Sequence, residues 1–341
     1  MLARWASAVT LGEMWQAERS GGRLAYLMEF LQPVSLAEAL AAKAAAPEAV
    51  PIAGGTDVMV ELNFARRRPE VLLDLNRVPE LTGWTLQDGK LRVGAGVTYA
   101  DLTGERGNGA LPDADSLAAR LPGLAMAART VGSPQIRNRG TIGGNLGSAS
   151  PAGDCHPSLL AARAEIEVAS VAGQRMIPIG EFFTGVKRSS LAPDELIVAA
   201  WISPPSGPEQ FAKIGTRNAM VIAVTAFGLA LHPERRAVGT GIGSAAPTPV
   251  RAADAEAFLA GALDDAGLWQ SRAALPPAVV TEFGAQVSAA ASPIDDVRGT
   301  AAYRRHALAV LARRTLTWAW ADYQRSARSL SGAIEKVVSL G

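Results

Sequence analysis

A glycine-rich stretch lies near the middle of the chain and reads Gln135-Ile136-Arg137-Asn138-Arg139-Gly140-Thr141-Ile142-Gly143-Gly144-Asn145. Its glycine pair follows a threonine hydroxyl and precedes an asparagine amide. Because glycine has no Cβ, such a pair lets a ligand approach the backbone closely. The stretch by itself leaves two interpretations open: a ligand-binding loop, or a turn held by asparagine side-chain hydrogen bonds.

A second glycine pair lies upstream, in Ile52-Ala53-Gly54-Gly55-Thr56-Asp57. An apolar run precedes it and a helix-like stretch from Val58 to about Phe64 follows it. Consecutive backbone N–H groups beside a helix start suit a phosphate or a diphosphate, although an ordinary turn has the same pattern. With Val71–Leu75 as the next strand, the segment predicts a compact βαβ unit. Two such loops favour a dinucleotide, whose diphosphate needs donors from more than one direction.

Two charged side chains are further candidates. Asp154, in the run 150–154, offers a carboxylate to ribose hydroxyls or an adenine amine. The alternative is an N-cap for the segment that runs to Leu160, since aspartate is a good capping residue. Lys213 and Arg217 place two cations after a strand-like run, and exposure to solvent is their default interpretation.

The composition limits the class of protein. The chain has 341 residues, 48% of them hydrophobic and 19% charged, an ordinary globular profile long enough for two or three domains. The net charge of +1 gives no basic field for nucleic acid. No apolar run reaches the roughly eighteen residues of a membrane span, so we expect no membrane partner.

Cysteine and histidine are scarce. The single Cys155 excludes an intramolecular disulfide and a four-cysteine metal site built by this chain alone. The three histidines are far apart in sequence, and no Ser–His–Asp constellation is apparent. We therefore expect no metal ligand and no catalytic side chain. Few cysteines also fit a reducing, cytoplasmic location.

Competing nucleotide motifs are not matched. No Gly-x-x-x-x-Gly-Lys-Ser/Thr sequence occurs, which argues against a P-loop NTPase. Gly94-Ala95-Gly96 has Tyr99 where a Rossmann fingerprint has its third glycine. The glycines at 239, 241 and 243 also have the wrong spacing, and they lead to Pro247 rather than into a helix.

The patterning predicts an α+β chain in three parts. Residues 1–27 are an N-terminal extension without a convincing signal peptide. A first domain, 28–204, combines the βαβ unit, a capped helix from Ser35 to about Ala46, and a hairpin at Asp88-Gly89. It also has a helix at about 116–128 and a hairpin that joins 166–171 to 176–179 through Ala172-Gly173.

A proline-rich linker at 204–208 ends that domain. The second domain, 208–330, has three strand-like runs, at 210–215, 221–231 and 237–244. Helices follow, and the clearest extends from about Thr300 to Ser326. This domain is predicted to be a small antiparallel sheet with a helical layer.

Taken together, the two glycine stretches, the 150–154 run and Lys213–Arg217 resemble the FAD-binding subunits of the xanthine dehydrogenase and carbon monoxide dehydrogenase family. The order and the spacing match, and so does the run 243–252, Gly-Ser-Ala-Ala-Pro-Thr-Pro-Val-Arg-Ala. The resemblance covers about residues 29–330. It implies a two-part FAD domain of the vanillyl-alcohol-oxidase (PCMH) type, followed by the C-terminal domain of the family.

The resemblance also assigns the site. It implies that Ala53–Asp57, with Ile52 before them, and Thr141–Asn145, through Gly143 and Gly144, clasp the FAD diphosphate. It places Asp154 on the adenosine side, Ile197 against the flavin or adenine, and Lys213 near the cofactor, where a cation would stabilise the anionic reduced flavin. Members with covalent FAD use a histidine in the first loop. Because Thr56 lies there instead, FAD should be non-covalent.

The family places molybdenum cofactor and [2Fe-2S] clusters on partner subunits, one large and molybdopterin-binding, the other small. The implied role is to pass electrons from those clusters through FAD to NAD⁺ or another acceptor. One alternative is a stand-alone FAD-dependent oxidase or dehydrogenase of the same fold. Another is a scaffold subunit without cofactor, against which the two intact glycine pairs argue.

Overall fold

The computed structural model describes residues 28–104 and 115–338, with side chains to residue 326. The proposed N-terminal extension, 1–27, lies outside the described residues. The first element of the described part is a three-stranded parallel sheet of order β1-β3-β2. Its strands are β1 (Glu29–Leu31), β2 (Val50–Ile52) and β3 (Val71–Asp74). Helices α1 (Leu36–Ala45) and α2 (Val58–Asn63) connect the strands. The predicted βαβ unit is confirmed, and the Ser35 hydroxyl caps α1 by accepting from the Glu38 N–H.

A five-stranded antiparallel sheet follows, of order β4-β5-β10-β6-β7. Its strands are β4 (Trp84–Gln87), β5 (Lys90–Gly94), β6 (Glu165–Ser170), β7 (Gly173–Pro178) and β10 (Leu196–Ile202). Asp88 and Gly89 both have positive φ, 49° and 75°, which is the geometry of a two-residue hairpin turn. The second hairpin turns at Val171-Ala172, one residue before the predicted place, because Ser170 pairs with Gly173.

The helices of this domain lie mostly between β5 and β6. They are α3 (Tyr99–Thr103), α4 (Leu117–Arg120), α5 (Pro122–Arg129), α6 (Pro134–Arg137), α7 (Ile142–Ser148) and α8 (His156–Ala161); α9 (Ile179–Phe182) and the small hairpin β8 (Phe183–Gly185) with β9 (Arg188–Ser189) follow β7. The continuous helix predicted at 116–128 is wrong. Pro122 has no N–H to continue α4, and it holds Leu121 outside the helical region, at φ −132° and ψ 66°, so two short helices form.

The C-terminal sheet is an antiparallel meander of β11 (Glu209–Ile214), β12 (Thr225–His232) and β13 (Ala237–Gly243). Strand β12 begins four residues later than predicted. Ile214 at the end of β11 pairs with Thr225, so residues before 225 have no strand opposite them. Four helices follow: α10 (Ala253–Asp265), α11 (Leu268–Ser271), α12 (Pro277–Ala289) and α13 (Ala301–Val338). Helices α10 and α13 cover one face of this sheet, and α12 packs on both of them.

Helix α8 of the preceding region covers the opposite face of the C-terminal sheet. Glycines on β12 and β13 make this approach possible. A Cβ on Gly241 would lie 2.6 Å from the Pro157 Cα, and one on Gly228 would lie 2.7 Å from the Pro157 oxygen. Alternate residues of a strand face the same side, so Gly239, Gly241 and Gly243 form one flat surface. This packing explains the glycine run in β13, and it holds the segment before α8 against β11.

Two large hydrophobic clusters and one small one stabilise the described part of the chain. The first spans residues between Ala39 and Ala226, and the second spans residues between Phe227 and Tyr323. The small cluster consists of Val50, Ile52 and Leu72, on strands β2 and β3. Fully burying one large apolar side chain such as Phe227 contributes about 1.5–3 kcal/mol. None of the helices in the described ranges is both long enough and apolar enough to cross a membrane.

Candidate functional site

The first glycine loop, residues 52–57, connects β2 to α2. Gly55 has φ +76°, which explains why glycine occupies this position. Across the described residues, the backbone N–H groups of Gly54, Gly55 and Thr56 donate to no protein acceptor. Consecutive N–H groups of this kind are suited to bind an anion. The loop therefore presents three donors to whatever lies against it.

Two polar side chains hold this loop from behind. The Asn76 amide donates to the Ala53 oxygen at 2.9 Å and to Asp74 Oδ1 at 2.5 Å. The Leu75 N–H donates to the Ile52 oxygen at 2.9 Å. Asn76 and Asp74 were not predicted from the sequence. Their position at the carboxyl end of β3, where Asp74 is the last strand residue and Asn76 follows two residues later, was the available signal.

The second glycine loop, residues 135–145, ends in α7. The Thr141 hydroxyl caps α7 by accepting from the Gly144 N–H at 3.0 Å, and the Gly143 N–H donates to the Ala95 oxygen at 2.8 Å. Both glycine N–H groups are therefore used within the protein. The glycine pair instead lets a ligand lie close to the backbone, because no side chain stands in the way. Gly144 is exposed, and a Cβ added there would meet only the Thr141 hydroxyl, at 3.0 Å.

The two glycine loops touch each other through their backbones. A Cβ built on Gly54 would lie 2.9 Å from the Gly140 nitrogen and would overlap the Arg139 carbonyl group. Real Cβ atoms essentially never come so close to backbone, so only glycine permits this contact. The structure thus brings together two motifs that are more than eighty residues apart in sequence.

Asp154 and Lys213 form a buried ion pair at this site. The Lys213 ammonium lies 2.7 Å from Asp154 Oδ2 and donates to the Thr130 oxygen at 3.1 Å. Their side chains are only 6% and 11% exposed, for Lys213 and Asp154 respectively. Burial raises the pKa of Asp154 to about 6, against the opposing effect of the Lys213 ammonium. The solvated interpretation of Lys213 is therefore wrong.

The capping interpretation of Asp154 is also wrong. Helix α8 begins at His156, and its N-cap residue is Cys155, without a side-chain cap. Asp154 is instead oriented by Lys213 of β11, on the neighbouring domain. The physical reason is charge: a buried ammonium requires an anionic partner, and this requirement outweighs one cap hydrogen bond.

Among the buried polar side-chain atoms that lack a partner in the described structure, two carbonyl or carboxylate oxygens lie at this site. They are Oδ1 of Asn145 and Oδ1 of Asp154. An unpaired buried polar atom costs about 1–3 kcal/mol, so both positions favour a ligand that brings N–H or O–H donors. FAD carries such donors on its ribityl chain, its ribose and its ring systems. With the free N–H groups of the first loop for phosphate oxygens, the residues present fit this cofactor.

Ile197 lies beside the second glycine loop. It is on β10, at a register irregularity against β6, and its Cδ1 would be 3.7 Å from a Cβ added to Gly147 of α7. Its side chain therefore borders the exposed glycine face of α7. Among residues 28–104 and 115–338, no group of three His, Cys, Asp or Glu side chains is placed to hold a metal ion.

Comparison with known proteins agrees with this arrangement. The family described as the FAD binding domain in molybdopterin dehydrogenase matches residues 26–203, and the CO dehydrogenase flavoprotein C-terminal domain matches residues 210–319. The nicotine 6-hydroxylase medium subunit of Paenarthrobacter nicotinovorans is 33% identical over 303 residues, which are 86% of this chain and 98% of the relative. The xanthine dehydrogenase FAD-binding subunit of Escherichia coli O157:H7 is 34% identical over 231 residues, 65% of this chain and 75% of that subunit.

Solved structures show the same fold. A chain of carbon monoxide dehydrogenase from Hydrogenophaga pseudoflava superposes with a TM-score of 0.76 at 27% identity, covering 87% of this chain and 98% of the other. Reconstituted CO dehydrogenase from Oligotropha carboxidovorans gives 0.76 at 27% identity, with coverages of 86% and 98%. The α+β architecture and the resemblance read from the glycine motifs are both confirmed. This chain belongs to the family of FAD-binding medium subunits of xanthine dehydrogenase-like and carbon monoxide dehydrogenase-like oxidoreductases.

Proposed function

We propose that this chain links the redox centres of a molybdenum hydroxylase complex. Electrons arrive from the [2Fe-2S] clusters of a small partner subunit, and NAD⁺ or another acceptor receives them. FAD, when bound, supplies the chemistry between these steps, because a flavin exchanges electrons singly or in pairs. The observation that carries the proposal is the backbone contact between the two glycine loops, beside two buried acceptors without partners.

In this proposal the first glycine loop supplies the hydrogen-bond donors to the diphosphate of FAD. The N–H groups of Gly54, Gly55 and Thr56 are free to bind phosphate oxygens, and Ile52, Ala53 and Asp57 hold the loop at both ends. The second glycine loop lets the cofactor approach the backbone closely. Thr141 caps α7, and the Gly143 N–H binds the loop to the Ala95 oxygen. Gly144, without a side chain, lets the diphosphate chain of the cofactor lie against the backbone.

Asn145 and Asp154 accept hydrogen bonds from the cofactor in this proposal. Their free Oδ1 atoms are buried, so each gains a partner only from a ligand donor. Lys213 holds the Asp154 carboxylate in place through their 2.7 Å ion pair. Ile197 contributes apolar packing beside α7. No residue of the first glycine loop is a histidine, which supports non-covalent binding.

The partner subunits complete the proposal. The molybdenum cofactor would lie on a large molybdopterin-binding subunit, and the [2Fe-2S] clusters on the small subunit. We place the FAD domain at 28–204 and the C-terminal domain at 208–330, and the proline-rich linker supports that division. A cytoplasmic location, supported by the single cysteine, belongs to the same proposal.

The first test is an absorbance spectrum of the purified chain before and after acid release. Bands near about 370 and 450 nm, with free FAD in the supernatant, are expected for a non-covalent flavoprotein. A colourless chain that takes up no added FAD contradicts the proposal and favours the scaffold alternative. Flavin that stays with the precipitate contradicts the non-covalent assignment.

A second test separates electron transfer from independent catalysis. The bound flavin should bleach on mixing with a reduced [2Fe-2S] subunit and recover on addition of the acceptor. Bleaching by a small alcohol in the absence of any partner would favour the stand-alone oxidase instead.

Gly144→Val tests the second glycine loop. The added Cβ meets only the Thr141 hydroxyl, and Gly144 is exposed, so the fold should remain while FAD retention is lost. Gly180→Val is the matched control, since Gly180 is also exposed in a helix and has nothing within 4 Å of its Cβ position. Stoichiometric FAD in the Gly144→Val variant would remove the second loop from the site.

A further inference from the structure

The side chain of Tyr99 is buried in the region where the two glycine loops meet. Its residue is only 4% exposed, and α3, which begins at Tyr99, is held by a capping box of Thr98 and Asp101. The Tyr99 N–H donates to the Gly140 oxygen at 3.0 Å. A Cβ on Gly140 would lie 2.8 Å from the Tyr99 ring, so the ring packs directly on the second glycine loop.

The Tyr99 hydroxyl makes no hydrogen bond within the part of the chain that the structure describes. Tyr323 provides the contrast. It is similarly buried, at 5% exposed, and its hydroxyl donates to the Trp269 oxygen at 2.8 Å. The Tyr99 hydroxyl oxygen, unlike its ring, is not fully buried, so it reaches the protein surface, where water or a ligand can accept its hydrogen bond. The hydroxyl of Tyr99 is therefore free to donate to an acceptor that the protein itself does not supply.

The surroundings of the hydroxyl locate that acceptor. Burial raises the pKa of Tyr99 well above its usual value, and the fields of Cys155, Asp154 and Asp57 raise it further. The Tyr99 ring packs on Gly140, and Gly140 borders Gly54 of the first glycine loop. The phenol thus lies beside the contact between the two glycine loops. It also keeps its proton at any ordinary pH, and it is a donor.

We propose that the Tyr99 hydroxyl donates a hydrogen bond to an oxygen of the ribityl–diphosphate chain of bound FAD. This inference rests on the proposed function. A neutral donor suits the position, because it binds a cofactor oxygen without forming an ion pair with a carboxylate of the site, as a lysine or an arginine would. Tyr99 then joins the first glycine loop as a second source of donors to the cofactor.

The proposal is tested with Tyr99→Phe, which removes only the unpartnered hydroxyl. Tyr303→Phe is the matched control, because Tyr303 is 48% exposed on α13. After FAD release, the dissociation constant for added FAD is measured by flavin fluorescence. We expect Tyr99→Phe to raise it about tenfold or more, at unchanged melting temperature of the apoprotein, and Tyr303→Phe to leave it unchanged.

A spectroscopic measurement on the unmutated sequence accompanies the affinity. The chain has four tyrosines, so 3-fluorotyrosine labelling gives a small set of fluorine resonances, and Tyr99→Phe assigns one of them. Addition of FAD should shift the Tyr99 resonance and leave that of Tyr303 in place. An unchanged dissociation constant together with an unshifted Tyr99 resonance overturns the inference. A wild-type chain that binds no FAD overturns the proposed function instead, so the two failures are distinguishable.

Discussion

Replacing Gly54 by alanine should separate the two glycine loops and weaken FAD binding. The new Cβ would lie 2.9 Å from the Gly140 nitrogen and closer still to the Arg139 carbonyl. All three atoms are backbone, so no flexible side chain can move aside. Relief requires one loop to shift from the other. Overpacking of this kind costs about 1–3 kcal/mol.

That cost converts directly into affinity if FAD binds only when the loops are in contact. Since about 1.4 kcal/mol is a tenfold change, the dissociation constant for FAD should rise about 5- to 150-fold. The assay is fluorescence titration of the apoprotein with FAD, together with thermal unfolding of apoprotein and holoprotein. Gly261→Ala is the control. Gly261 lies within α10 with nothing near its Cβ position, so alanine there should be neutral or slightly stabilising.

An unchanged dissociation constant in Gly54→Ala, with an unchanged melting temperature, would refute the reasoning. It would mean that the two loops do not need to touch for the site to form. Loss of apoprotein stability without loss of affinity would place the contact in the fold and outside the binding site.

Three further outcomes are expected. Lys213→Met should leave the Asp154 carboxylate buried without its cation and lower the free energy of unfolding by about 3 kcal/mol at pH 8, and adding Asp154→Asn should recover most of that loss. If the losses in unfolding free energy from the two single substitutions simply add in the double variant, as measured by thermal unfolding, this pairing is contradicted. Burial raises the pKa of Glu209 from 4.5 to about 7, so its contribution to stability is fully present below pH 4.5 and is lost as the pH rises through 7. Glu209→Gln should therefore remove about 3 kcal/mol of pH dependence over that range, and parallel stability profiles of the two proteins would count against it. Gly241→Ala should lower the free energy of unfolding by about 1–3 kcal/mol or more, because its Cβ would lie 2.6 Å from the Pro157 Cα; unaltered hydrogen exchange in α8 and β13 would disprove that contact.

Short-range patterns in the sequence predicted the local structure. The Ser35 cap begins α1, and the Asp88-Gly89 pair forms the predicted hairpin with positive φ at both residues. These signals act over a few residues, where backbone dihedral preferences and side-chain caps decide the conformation. The one clear local error, the helix across Pro122, was also readable in the sequence, since proline excludes that continuation.

The candidate site was predicted as a set of motifs without its internal geometry. The glycine pairs at 54–55 and 143–144 were identified, but their different uses were not, because a donor is free or bonded only after the fold has formed. Tyr99 was noticed only as a missing glycine. Nothing local indicates that its ring packs on Gly140 and its hydroxyl lacks a partner.

The sequence by itself determined the α+β order of elements and the two glycine loops, and the resemblance of its motifs to known proteins indicated the FAD-binding family. The tertiary structure alone decided that Gly54 meets Gly140, that Lys213 pairs with Asp154 fifty-nine residues away, and that the glycines of β13 seat α8. The physical reason is the distance along the chain over which each interaction acts. Dihedral preferences and caps are fixed by neighbours along the chain, whereas burial, charge pairing and close backbone contact depend on what packs across from a residue.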